Sequence, residues 1–152
     1  MGTDLLVNLY ELPPEETTSS DIRYLRLLSP NIHQLEDFIL AHFSKGWVSE
    51  IKVGCYQVNP TVFIAVKGEK IVGFAGYDCT AKGFFGPTGV DPKHQGHGIG
   101  KNLLLKTLHA MKESGYAYAI IGGGKGKAGF YQKCANATLI KSKESIYSRM
   151  IK

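Results

Sequence analysis

The sequence predicts a single α/β domain of the α+β kind. Short apolar runs with strand spacing recur along it, and residues 32–43 and 99–111 repeat their apolar positions at helical spacing. A glycine-rich connection joins one apolar run to the second of those helices. With 152 residues the chain is long enough for one proper core, and residues 1–152 are read as one domain with a strand-and-loop extension over 1–20.

Residues 4–12 alternate well enough for a first strand. Residues 13–20, Pro13-Pro14-Glu15-Glu16-Thr17-Thr18-Ser19-Ser20, form a polar loop with nothing to bury. Residues 22–28 read as a second strand. Ser29-Pro30 then starts a helix, serine as cap and proline at the first helical position, continued by Ile32, Leu35, Phe38, Ile39 and Phe43. A shorter helix fits residues 47–53. Residues 62–66 and 71–77 pair as a hairpin around Lys67-Gly68-Glu69-Lys70. Residues 83–90 form a further strand, and Gly86-Pro87 must make it bulge, because proline has no N–H for the ladder. The long helix buries Ile99, Leu103, Leu104, Leu108 and Met111 and stops at Gly115. Residues 116–121 read as a buried strand, 128–134 as a short helix and 145–151 as a closing strand.

Composition narrows the function. The hydrophobic share of 43% is that of a soluble domain, no apolar run is long enough for a membrane span, and the N-terminus has no signal-peptide character. Three widely spaced cysteines, Cys55, Cys79 and Cys134, argue against a disulfide framework and for a cytoplasmic setting. The net charge of +5 suits an anionic ligand, with Lys93, Lys101 and Lys106 around the glycine loop; the lysines are too scattered for a nucleic-acid stripe.

The most informative stretch is Gln95-Gly96-His97-Gly98-Ile99-Gly100. A strand running through such a loop into a helix aims backbone N–H groups at the positive end of the helix dipole, a seat for phosphate oxygens. A Rossmann fingerprint needs different glycine spacing. Gly122-Gly123-Gly124-Lys125-Gly126-Lys127 fails as a P-loop, because Ile121 and Ala128 stand where glycine and Ser or Thr are required. The order Gln-x-x-Gly-x-Gly, after a strand ending Val90-Asp91-Pro92, resembles the coenzyme A pyrophosphate loop of the GNAT acyltransferase superfamily. Phe130-Tyr131-Gln132-Lys133 is similar to that family's aromatic-Tyr-x-Lys signature. The order of elements also resembles the family's, from Ile22 to the C-terminus, with the strand over residues 4–12 as an addition at the front.

The resemblance implies a GNAT fold, whose mixed, mostly antiparallel sheet is flanked by helices and splays into a V. It implies acetyl-CoA as cosubstrate, no metal, and a cofactor site made of Thr88, Gly89, Val90, Gln95, Gly96, His97, Gly98, Ile99, Gly100 and Lys101. Tyr131 matches the tyrosine that protonates the departing thiolate; a core tyrosine is the other reading, and Phe130 beside it is read as core. A phenol of pKa ~10 can deliver a proton to a thiolate whose acid has a pKa of ~8.5. Residues 83–90 carry no acidic side chain, so Asp78 is the nearest candidate to bind the acceptor ammonium or act through water, unless it only starts the turn over residues 78–82. His94 and His97 lack a third metal ligand. Gly124 stands where many relatives carry an asparagine, and the glycines around it are expected to widen the cleft mouth. Residues 83–90 and 116–122 are similar to a subgroup containing glucosamine and glucosaminide acetyltransferases. The implied activity is N-acetyl transfer to a small amine, with an amino sugar favoured. Peptide or polyamine acetylation and a non-catalytic acyl-CoA-binding module are the alternatives. No nucleic acid or membrane partner is expected, and a homodimer is compatible with this reading.

Overall fold

The computed structural model describes residues 4–16, 21–124 and 126–151. Strand β1, Leu5–Asn8, buries Leu5 and Val7 completely. It is shorter than the expected strand over residues 4–12. The Asn8 side chain accepts from Tyr10 N at 2.9 Å and turns the chain into a 3-10 turn, Leu9–Glu11. Of the polar loop over 13–20, residues 17–20 lie outside the described residues.

Strand β2, Ile22–Arg26, leads through a 3-10 turn, Ser29–Asn31, into helix α1, Ile32–His42. Pro30 opens that turn as expected of a helix start, but Ser29 makes no cap bond; the turn begins at Leu28 and the helix proper only at Ile32. Helix α2, Lys45–Cys55, is longer than the segment over 47–53, because Ser44 Oγ accepts from Trp47 N at 3.2 Å and starts it earlier. The hairpin is β3, Val62–Lys67, and β4, Lys70–Tyr77, turning at Gly68 with φ +62°. Strand β5, Phe84–Val90, precedes helix α3, Ile99–Glu113, and Gly115 ends that helix region at φ +105°. Strand β6, Tyr118–Ile121, helix α4, Ala128–Ala135, and a two-residue strand β7, Thr138–Leu139, complete the elements.

The seven strands form one sheet in the order β2-β3-β4-β5-β6-β1-β7, antiparallel at every junction except β5–β6. Successive residues of β3 serve opposite faces, as strand pleating requires. Val62, Ile64 and Val66 pack with α1 and α2, while Phe63 and Ala65 pack with Leu103, Leu104 and Leu108 of α3.

At the far side of this sheet the added N-terminal strand is built into the sheet: β1 pairs Leu5 with Ile121 of β6 on one side and with Leu139 of β7 on the other. One expectation is corrected there: the segment over 145–151 is not a strand. Residues Ile146–Arg149 form a 3-10 turn with a Ser145–Ser148 capping box, and Ile146 N donates to Asp4 Oδ2 at 3.1 Å. The edge of β6 that such a strand would need is already taken by β1.

Burial of β1 on both sides makes it part of the core. Leu5→Ala should destabilise the domain by about 2–5 kcal/mol, the usual cost of emptying a buried leucine site. Val58→Ala, at a fully exposed position, should stay within about 0.5 kcal/mol. Urea unfolding of the two variants checks the contrast; equal midpoints would show that β1 is dispensable.

Candidate active site

Parallel pairing between β5 and β6 covers only Phe84 with Ile120 and Phe85 with Ile121. Beyond Phe85 comes Gly86, at φ +118°, a conformation that glycine adopts readily, and then Pro87, which has no N–H to donate. From there β5 stays with β4, where Ala75 faces Thr88 and Gly73 faces Val90, and leaves β6. The parting opens a cleft with β5 as one wall.

On one side of this cleft lies a cavity of about 510 Å³. The structure brings Thr88, Gly89, Val90, Gln95, Gly96, Gly98, Ile99, Gly100, Lys101 and Tyr131 together around it. Gly96 and Gly98 hold φ of +85° and +80°, and a Cβ at either would meet nothing within 4 Å, so the loop backbone faces open space. Gly98 caps α3 without any side-chain bond, leaving the first-turn N–H groups aimed outward. Asp91 shapes the approach by accepting from Lys93 N at 3.0 Å. That bond, with His42 and His94 close by, holds its carboxyl below the usual range. Gly89 has a different reason to be glycine: a Cβ there would lie 2.5 Å from the Phe43 ring. Thr88 ties its hydroxyl to Phe74 O at 2.9 Å and so presents backbone to the cleft.

His97 and Asp78 stand apart. His97 lines a neighbouring depression with Lys67 and Lys93 instead of the cavity of the loop that carries it. Asp78 adopts φ +55°, accepts from Gly83 N at 2.7 Å, and takes the Tyr116 hydroxyl at 2.9 and 2.8 Å on its two oxygens. Its carboxylate is thus held within the turn between β4 and β5. That pairing and burial push the Tyr116 phenol up to about 12, desolvation being the larger cause. Lysines around the loop are also less free than their number suggests. Lys101 Nζ lies 2.7 Å from Glu16, and Lys106 Nζ lies 3.9 Å from Glu15.

Six residues of the cavity were not anticipated as site residues: His94, Leu104, Gly126, Lys127, Gly129 and Phe130. Phe130, expected in the core, is 38% exposed and lines the cavity, as does Lys127 one helical turn before Tyr131. The helical spacing of 127, 130 and 131 was the available signal, since it places all three toward one side of α4.

A second cavity, of about 180 Å³, shares Thr88, Lys127 and Tyr131 with the first and adds Trp47, Pro87, Gly122 and Tyr147. Tyr131 therefore sits where the two spaces meet. Burial pushes its phenol up to about 12, and its ring packs edge-on against Phe85 at 6.2 Å. Such a group stays protonated throughout the neutral range and so has a proton to donate. The glycines beside it do not leave the mouth wide, contrary to expectation. A Cβ on Gly122 would lie 2.7 Å from Ile146, and one on Gly123 would lie 2.9 Å from Tyr147. Their missing side chains admit the C-terminal turn; Lys125 lies outside the described residues. No group of three or more metal-ligating side chains occurs among the described residues.

Solved structures share this architecture at low identity. A GCN5-related N-acetyltransferase from Sphaerobacter thermophilus superposes with a TM-score of 0.72 at 17% identity, covering 91% of this chain and 48% of that one. A GCN5-related glucosamine N-acetyltransferase region of a fungal multi-domain GH3 β-N-acetylglucosaminidase gives 0.68 at 12% identity, covering 91% and 20%. An aminoglycoside acetyltransferase from an uncultured soil metagenomic sample gives 0.60 at 21% identity, covering 82% and 94%. The chain thus spans about half the length of the first of these and a fifth of the second. No curated protein sequence matches it. The acetyltransferase (GNAT) domain model matches residues 58–134, just over half of the chain and the part that carries β3 to α4. With the splayed β5–β6 pair, the open glycine loop at α3 and the buried tyrosine of α4 all inside or at the border of that match, the chain belongs to the GNAT acetyltransferase family.

Proposed function

We propose that the chain is an acetyl-CoA-dependent N-acetyltransferase that transfers acetyl directly to a small primary amine, an amino sugar being the favoured acceptor. The observation that carries this reading is the meeting of two cavities at Tyr131. The larger, with the outward N–H groups of the loop over 95–101 and the apolar wall of Ile99 and Leu104, fits a pyrophosphate followed by a pantetheine arm. When bound, acetyl-CoA supplies the activated acyl group as a thioester. Backbone at Thr88, Gly89 and Val90 lies beside the arm and can polarise the thioester carbonyl as negative charge develops. The smaller cavity, floored by Trp47 and Tyr147, receives the amine.

Tyr131 then gives its proton to the departing thiolate. In the empty site its pKa of about 12 makes that transfer uphill, so the donation must be coupled to C–S cleavage. Asp78 serves this reading as the anchor of the turn that aligns β4 with β5. The buried, unpaired thiols of Cys55, Cys79 and Cys134 are consistent with a reducing, cytoplasmic setting. An amino sugar is favoured by the small aromatic-floored cavity, because a saturated ring stacks on such surfaces, and by the sequence likeness of residues 83–90 and 116–122 to glucosaminide acetyltransferases. A glucosamine N-acetyltransferase region and an aminoglycoside acetyltransferase among the solved neighbours support an amine of the same chemistry.

Gly98→Asp should abolish coenzyme A binding while leaving the fold intact. Aspartate tolerates positive φ better than most residues, and no atom stands where its Cβ would go. Its charge, however, would face the pyrophosphate. Calorimetry with coenzyme A, alongside circular dichroism, checks this, and unchanged affinity would move the phosphate site elsewhere.

Tyr131→Phe should keep acetyl-CoA binding and lower kcat by about 10²–10⁴. Turnover within a few-fold of the parent would make Tyr131 a packing residue.

For the acceptor, kcat/KM is compared across glucosamine, chitobiose, a lysine peptide, a polyamine and an aminoglycoside, with thiol release as readout. Glucosamine or chitobiose should lead. A tenfold preference for the peptide or polyamine would replace the amino sugar, and coenzyme A binding with no thiol release from any amine would favour a non-catalytic acyl-CoA-binding module.

A further inference from the structure

Among the described residues lining the cavity proposed to receive the amine there is no carboxylate. An alkylammonium is mostly charged at neutral pH, so the nitrogen must lose a proton on or before attack. The 3-10 turn at Ile146–Arg149 places Tyr147 in this cavity and, at the same time, in an outer groove lined by Trp47, Glu50, Thr80 and Arg149. Tyr147 Oη donates to Glu50 Oε2 at 2.7 Å, and Thr80 Oγ1 donates to the same oxygen. Glu50 is half-buried on α2 and is the one carboxylate among the residues lining this groove. A donating phenol keeps lone-pair capacity to accept from a third group, and the Tyr147 side chain borders the inner cavity as well as the groove, with the Thr80 hydroxyl also in hydrogen-bond reach of its oxygen.

We propose that Tyr147 and Glu50 form the proton exit for the acceptor amine. Tyr147 takes the N–H proton while passing its own hydroxyl proton to Glu50, which releases it into the outer groove. The proposal rests on acyl transfer to an amine but not on which amine is used. The bound ammonium loses a first proton through Tyr147 to Glu50, and the freed nitrogen lone pair forms the C–N bond. As the C–S bond breaks, Tyr131 protonates the sulfur. The second N–H proton leaves by the same route, and Tyr131 takes one proton back from solvent, so that one proton is released per turnover.

The surroundings hold this relay in one arrangement. Ile146 N and Gly123 N both donate to the Asp4 carboxylate, at 3.1 and 3.2 Å, pinning the turn that carries Tyr147 against the loop after β6. The ring lies over Gly122 and Gly123, where any side chain would displace it. Burial, and next the bond to Glu50, raise the Tyr147 phenol well above its ordinary value, so it acts as a neutral conduit and does not ionise on its own. The other titratable or charged groups around the pair are Arg149 in the groove, Lys127 in the inner cavity, Asp4 behind Tyr147, and the Cys79 thiol, which burial pushes up to about 12. Cys79 is a neutral thiol at neutral pH. None of the four stands between Tyr147 Oη and Glu50.

The test uses Glu50→Gln, Tyr147→Phe, the double variant and Glu50→Asp with the amine giving the highest kcat/KM in the panel above. In the parent, kcat/KM should be flat between about pH 6.5 and 8.5, because the ammonium binds and is deprotonated in place. Glu50→Gln and Tyr147→Phe should each lower kcat at neutral pH by about 10²–10⁴. Each should also acquire a unit-slope rise toward the amine's own pKa, since only free amine can then react. The double variant should be no worse than the singles, and Glu50→Asp, which restores a carboxylate, should recover part of the rate. Loss confined to KM, multiplicative effects in the double variant, pH profiles that keep the parental shape, or rate losses that follow a fall in Tm would each overturn the relay. Absence of thiol release from parent protein with any amine would overturn the acyl-transfer reading and the relay together, whereas normal parent turnover with unaffected variants would overturn the relay alone.

Discussion

Everything at the cleft depends on β5 being paired with β4 on both sides of an irregularity at Gly86-Pro87, at Phe85 and again from Thr88 to Val90, and with β6 for only two residues. Strand ladders are satisfied when both edges bond, so an interior strand does not leave its neighbour without a local reason. Here the reason is covalent. Gly86 turns the backbone to φ +118° and Pro87 has no N–H, so the ladder to β6 cannot continue past Phe85. Hydrogen bonding to β4 keeps the departing half of β5 in the sheet. The freed edge becomes a wall, and α3 starts from the loop at its end. A substrate arm laid along that wall would satisfy backbone groups that β6 has abandoned.

The far side of the sheet is organised around a different demand. The β1 strand fills the position between β6 and β7, and Asp4, the residue just before it, accepts from Gly123 N and Ile146 N. One carboxylate from the start of the chain therefore joins the loop after β6 to the turn carrying Tyr147. Gly122 and Gly123 let that turn approach within van der Waals distance. The strand and the turn depend on each other. With β1 in place no edge is left for residues 145–151 to extend β6, and the turn they form instead lines the smaller cavity.

Electrostatics in the cleft are more local than the net charge of +5 suggests. Lys101 and Lys106 on α3 meet Glu16 and Glu15, so two of the cations on this helix already have partners. Such exposed pairs are worth little to stability and exchange readily, which leaves them open to competition from a phosphate. The loop's lasting attraction for an anion lies in its backbone: oriented N–H groups at the end of a fifteen-residue helix do not depend on any side chain being free.

The amino-acid sequence by itself determined the parts of this protein that rest on local rules. The helical spacing of Ile99 to Met111, the hairpin at Gly68, the interruption at Gly86-Pro87 and the loop from Gln95 to Gly100 are governed by periodicity and by the special backbone freedom of glycine and proline, so each was legible from residue order. The tertiary structure alone decided what depends on which partner arrives first at a shared edge. Nothing in residues 4–8 says that they will sit between β6 and β7, and nothing in residues 145–151, apolar enough for a strand, says that they will be denied one. The same reason hid part of the site. Phe130 has the composition of a core residue, yet α4 packs so that its ring faces a cavity. Glu50 and Tyr147 are separated by almost a hundred residues and meet through two elements whose placement follows from the sheet order. Contacts of that range are set by packing, and packing is a property of the assembled sheet.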